Sequence, residues 1–205
     1  MKSLILFSIL LSTLSSVHAY YFMGSLTNVL PFKSMMASAQ LNNSLYLFGG
    51  ENATSHYSND LYKLTQTSDG YSWLTVPQKN TINGTAGSQA FVTSDQQNLV
   101  LLGGDSFTEA NASNFLPLQI YTYNFASQTW TSKTPTNFTL DNTACVNRQA
   151  FSATYDSKNK VSYIYGGYAR QAVLDTLHKM DENYQTTSLV RSPEARYGHT
   201  ASILR

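Results

Sequence analysis

The chain has 205 residues, of which 42% are hydrophobic, 13% aromatic and only 12% charged, a composition that can bury a core and excludes wholesale disorder. Thirteen Lys+Arg against twelve Asp+Glu leave a formal charge of +1 with no basic block, so the electrostatic footprint that nucleic-acid binding needs is missing. The single cysteine, Cys145, can form neither an intrachain disulfide nor a four-ligand zinc site.

In chain order, the first segment reads as a secretory signal peptide over residues 1–19. Lys2 supplies the positive end, Leu4 to Leu14 is an apolar run too short to cross a bilayer, and Val17-His18-Ala19 fits the peptidase preference, so cleavage is expected between Ala19 and Tyr20. No later stretch is long and apolar enough to span a membrane as a helix. Five N-x-S/T sequons, at Asn42, Asn52, Asn83, Asn111 and Asn137, fit a eukaryotic chain glycosylated in the secretory pathway.

Internal repetition then dominates. A β-rich run ends in a glycine pair three times: Leu45 to Phe48 before Gly49-Gly50, Leu99 to Leu102 before Gly103-Gly104, and Tyr163 to Tyr165 before Gly166-Gly167. Each pair is followed by an alternating segment (Asp60 to Leu64, Gln119 to Tyr123, Thr176 to Met180). A short run with a tryptophan comes next, at Trp73 and Trp130, and Thr187-Ser188-Leu189 takes its place in the third copy. Ahead of the pairs lie small-residue segments: Arg148 to Thr154 matches Arg196 to Ser202, with Gly198-His199 at its heart, and Lys33 to Ala39 matches both. Strands with apolar residues on both faces suit burial between neighbouring sheets, and the glycine pairs allow a tight turn. Helical periodicity is not sustained in the mature chain.

This pattern resembles the kelch repeat, as in attractin-like proteins and the central domain of galactose-oxidase-like proteins. The resemblance implies an all-β propeller of four-stranded blades, covering about Lys33 to Leu204. Blades are expected at 32–78, 84–135 and 146–192, with a strand of the next from 196. Since propellers close with 4–8 blades, the sequence reads as an incomplete ring, a truncated secreted protein of fungal type. Residues 20–31 are expected to supply a ring-closing strand. By strand parity, Asn52, Asn83, Asn111 and Asn137 fall on one face and Asn42 on the other.

Candidate chemistry is sparse. His199 sits at the strand-opening position of the repeat, which makes it structural. His56 and His178 have no second ligand at metal spacing, and Cys145 reads as a buried, inert thiol. No catalytic, metal-binding or cofactor residue is assigned. Long segments after the glycine pairs, Glu51 to Asn59 and Asp105 to Leu118, point to a secreted or cell-surface module that binds a protein or carbohydrate ligand through its loops. The alternative carried by the same resemblance is a fragment of a galactose-oxidase-like copper radical oxidase, whose site uses tyrosines, histidines and a Tyr–Cys crosslink.

Overall fold

The computed structural model describes residues 26–27, 30–31, 33–54, 56–68, 70–105, 117–133, 135–136, 145–169 and 172–204. The expected signal cleavage at Ala19 and Tyr20 and the sequons at Asn111 and Asn137 lie outside them. Among the described residues there are fifteen strands and no helix.

Three four-stranded antiparallel sheets follow one another along the chain. The first contains β2 (Ala37–Leu41), β3 (Ser44–Phe48), β4 (Leu61–Thr67) and β5 (Gly70–Thr75), with β1 (Leu26–Thr27) added at its far edge. The second contains β6 (Gln89–Val92), β7 (Asn98–Leu102), β8 (Ile120–Asn124) and β9 (Thr129–Lys133). A small hairpin of β12 (Tyr168–Ala169) and β13 (Ala172–Val173) interrupts the third, which contains β10 (Ser152–Asp156), β11 (Val161–Tyr165), β14 (Leu177–Asp181) and β15 (Thr186–Ser188). Their opening strands β2, β6 and β10 pack successively against one another, so these are the innermost strands of three blades around a common axis.

The double-sided apolarity of the second strands has a direct structural cause. In β7, Leu99 and Leu101 join Tyr46, Phe48 and Leu61 of the first blade in one core, together with Tyr123 and Trp130. The alternate residues Val100 and Leu102 join Phe151, Ile164 and Met180 of the third blade in another. Side chains alternate across a strand, so a strand sandwiched between two blades must be apolar throughout, and all four of these side chains are at most 1% exposed.

Each glycine pair turns the chain in the left-handed region, with φ of 74° and 90°, 60° and 94°, and 63° and 96°. The turn brings the backbone against the next blade. Gly50 N–H donates to Thr85 O, Gly104 N–H to Arg148 O and Gly167 N–H to Arg196 O, at 2.7 to 2.8 Å. That triple identifies a copy that the sequence pattern alone misses: Thr85-Ala86-Gly87-Ser88 opens the second blade where the others use Arg148 and Arg196.

The connections between blades repeat as well. Thr27 pairs in parallel with Ser72, Lys79 with Thr129 and Thr136 with Gln185. The cross-strand partners Leu64↔Trp73, Tyr123↔Trp130 and Met180↔Thr186 place all three at one register. Each connection therefore lies along the outer strand of the blade that follows it, before the chain turns in to the axis.

Leu26–Thr27, within segment 20–31, pairs in parallel with the outer strand of the first blade; residues 20–25 of that segment, where the ring-closing strand is expected to begin, lie outside the described residues. Two expectations are corrected. The third counterpart of the tryptophans is Thr186, not a residue of 187–189, because the turn after β14 is short and closed by Asp181, whose Oδ1 accepts from the N–H groups of Asn183 and Gln185. Residues 196–204 lie against β10 through Gly198 N–H to Ala150 O and Thr154 Oγ1 to Ala201 O, yet they form no strand, since no second strand lies beside them among the described residues.

A carboxylate ties the second and third blades together. Glu182 accepts from Ser94 N–H at 2.8 Å, from Ser94 Oγ at 3.1 Å and from the Tyr155 hydroxyl. Burial opposes its ionisation, but these bonds outweigh burial and hold the carboxyl below its usual range, while burial and the bond to Glu182 push Tyr155 up to about 12. A depressed carboxyl contributes stability that is present above the unfolded value and lost as pH falls through the folded one. Glu182→Gln should therefore cost on the order of 1 kcal/mol at neutral pH. Thermal unfolding scans should show this gap to wild type closing as the pH is lowered toward 3.

Candidate interaction face

Strand alternation puts the loops after the glycine pairs at the same end of the blades as the segments that open each innermost strand. At the axis, a chain of backbone bonds runs from blade to blade: Gly87 N–H to Met35 O, Ala150 N–H to Gly87 O, and Gly198 N–H to Ala150 O. All four residues are left-handed, with φ of 56° at Met35, 71° at Gly87, 52° at Ala150 and 64° at Gly198. Around this floor runs a second circle, in which the residue before each left-handed position pairs with the residue after each glycine pair. Ser34 pairs with Glu51, Ala86 with Asp105 and Gln149 with Tyr168. Tyr197 continues the series, its ring 6.1 Å from that of Tyr168.

Two carboxylates and two tyrosines thus stand at successive places of one rim. Tyr57 donates its hydroxyl to Asp105 Oδ2 at 3.1 Å. Burial first, then Asp105 and Glu51, push Tyr57 up to about 12, so it remains a donor at neutral pH. The described residues of the segment Glu51 to Asn59 are tied together by the Glu51↔Tyr57 bridge and by Asn52 Oδ1, which accepts from the N–H groups of Thr54 and His56. Residues 106–116 of the second expected loop lie outside the described residues, and in the third blade the β12–β13 hairpin takes its place.

The cations of the repeat act within their blades. Lys33 Nζ reaches Asp60 Oδ2 at 2.6 Å and Ser58 Oγ at 2.7 Å. Arg148, 2% exposed, donates to the carbonyls of Val146 and Gly166 and to Thr176 Oγ1, and its Nη2 has no partner. Arg196 is at the surface, paired with Glu194. His199 shares a 3.0 Å hydrogen bond with Ser152 Oγ and packs on the Tyr165 ring, and burial together with Arg196 lowers its pKa. Trp130 is buried and donates to Gln78, whereas Trp73 is half-buried.

The remaining candidates are not brought together. Cys145 is buried in the core between the second and third blades, where desolvation pushes its thiol up to about 11. His56 is exposed in the first loop and His178 is buried in β14. Among the described residues no group of three or more His, Cys, Asp or Glu side chains is placed to hold a metal ion. Asn42 lies in the β2–β3 turn, at the opposite end of the innermost strands from Asn52, and Asn83 lies beside the Tyr57–Ser58 segment, on the Asn52 side. The rim was legible in advance only as loops. Its signal is positional, the residue directly after each glycine pair.

A family model described as the Attractin/LZTR1 beta-propeller matches residues 24–205. The chain belongs to the Attractin/LZTR1 beta-propeller family. No curated protein matches the sequence. Membership in the Attractin/LZTR1 family agrees with the repeating ladders, and the kelch-type glycine pairs supply the turns that the family's blades share here.

Proposed function

We propose that this propeller is a protein-interaction module of the secretory pathway, carried to the cell surface or outside the cell and binding through its loop-bearing face. The observation that carries the reading is the rim itself. A scaffold of hydrogen-bonded blades presents at one end of its axis exposed tyrosines and two carboxylates that have no ion-pair partner among the described residues, the arrangement expected of a recognition surface. Membership in a propeller family of this kind suggests the same role. Cleavage after Ala19 and glycans on the five sequons complete the proposal, with Asn52 and Asn83 framing the loop face.

The segment 20–31 enters the proposal as the seam of a ring. Trp73 precedes Lys79 by six residues and Trp130 precedes Thr136 by six; Tyr21 precedes Thr27 by six. By this spacing Tyr20-Tyr21-Phe22, outside the described residues, matches Ser72-Trp73-Leu74 in sequence, the match on which this part of the proposal rests.

The test is secretion of the full chain from a eukaryotic host, with the purified product used as bait against a panel of extracellular proteins. Reproducible binding to a defined protein, together with a mature end at Tyr20 and occupied sequons, is the expected result. Retention of Leu4 to Leu14 overturns the compartment, and failure to bind any protein of the panel overturns the module.

A further inference from the structure

Four of the large apolar side chains that remain exposed gather at the loop-bearing end of the axis: Met35 at 43%, Tyr168 at 36%, Val173 at 38% and Tyr197 at 60%. They belong to one surface. Met35 Cε and Gln149 Cβ flank Gly87, Gln149 is bonded to Tyr168 through both backbone groups, and Tyr168 faces Tyr197 across 6.1 Å with the rings tilted by 55°. On the same rim, one and two blades back, Asp105 and Glu51 occupy the place that Tyr168 fills in the third blade.

Among the described residues, the charged groups of this rim without an ion-pair partner are both negative. Among the described residues neither Glu51 nor Asp105 is ion-paired, while the nearby cations Lys33 and Arg196 are engaged by Asp60 and Glu194. The Tyr57 hydroxyl takes one oxygen of Asp105. Aromatic faces carry negative electrostatic potential and attract cations, a guanidinium above all because it can stack on a ring while its fork engages a carboxylate. A net charge of +1 gives the whole protein no general attraction for basic chains, so a preference for them would be a local property.

We propose that the rim formed by Tyr197, Tyr168, Asp105 and Glu51 takes an extended arginine-bearing segment of a partner protein, the guanidinium groups stacking on the tyrosines and reaching the carboxylates. This rests on the interaction-module reading and names its partner chemistry.

Fluorescence anisotropy of the secreted full chain with a labelled peptide of repeated Arg-Ser-Pro tests it, beside peptides in which Arg is replaced by Lys or by Glu. The arginine peptide should bind, the lysine peptide should bind more weakly and the glutamate peptide should not bind. Tyr197→Ala and Glu51→Gln should each weaken arginine-peptide binding about five-fold or more, with unchanged melting temperatures because both changes are confined to surface side chains. Gln96→Ala, in the turn at the other end of the innermost strands, should change nothing. Absence of binding, equal binding of the glutamate peptide, or indifference to both Tyr197→Ala and Glu51→Gln overturns the proposal. A protein partner from the panel whose binding is untouched by Tyr197→Ala overturns this surface while leaving the module standing.

Discussion

Replacing Trp130 with alanine is expected to remove about 3–5 kcal/mol of stability, the larger of the two strongest effects. The indole is 2% exposed, lies 5.0 Å from the Phe48 ring of the preceding blade and 5.2 Å from Tyr123, and donates to Gln78 at 2.6 Å. Its loss opens a cavity between two blades that neither sheet can close alone, and it orphans the amide that it satisfies. Trp73→Ala should cost less than half as much, because Trp73 is half-buried. Urea unfolding followed by far-ultraviolet circular dichroism distinguishes the two. Equal midpoints for both variants would show that the packing between the first two blades is not where the stability lies.

Gly103→Ala should be nearly as damaging, at about 2–4 kcal/mol, the sum of a left-handed backbone and an overpacked contact. At φ of 60° a β-carbon is strained in any surroundings, and here it would also meet the Arg148 carbonyl oxygen at 2.6 Å and the Phe151 ring at 2.7 Å. Retreat is blocked on both sides: the carbonyl accepts from Gly104 N–H and the ring is buried in the core between the second and third blades. Gly198→Ala is the comparison, since its φ of 64° carries the same backbone strain but nothing lies within 4 Å of the added carbon. A smaller loss at Gly198, read from the same unfolding curves, separates strain from collision.

The second strand of each blade was readable because its environment imposes two demands at once, apolar side chains on both faces and a turn only glycine makes cheaply. The first strand of the second blade was not. Thr85-Ala86-Gly87-Ser88 lacks both the arginine and the histidine of its counterparts, and Ser88 replaces the ring with a hydroxyl that bonds Gly103 O and Thr85 Oγ1. Its trace was spacing: Gly87 stands 17 residues ahead of Gly104, as Ala150 does ahead of Gly167. The rim was hidden for another reason. Glu51, Asp105, Tyr168 and Tyr197 differ in chemistry and are far apart in sequence, so only the closing of blades around an axis brings them into one circle.

The connections laid along the next blade's outer strand give this architecture a direction. When β9 forms, its partner Lys79 has already been synthesised, and when β15 forms, Thr136 is waiting. Each of the three blades, the first through Thr27 and Ser72, thus completes its outermost edge against chain that emerged earlier, so a ribosome feeding the polypeptide from its N-terminal end delivers each template before the strand that needs it. A circular permutant opened in the turn between β10 and β11, between Asp156 and Val161, would place Thr136 after β15 and reverse that order for the third blade while leaving the final contacts intact. Vectorial synthesis is then a partner in folding, and the third blade depends on the second for more than a neighbour to lean on.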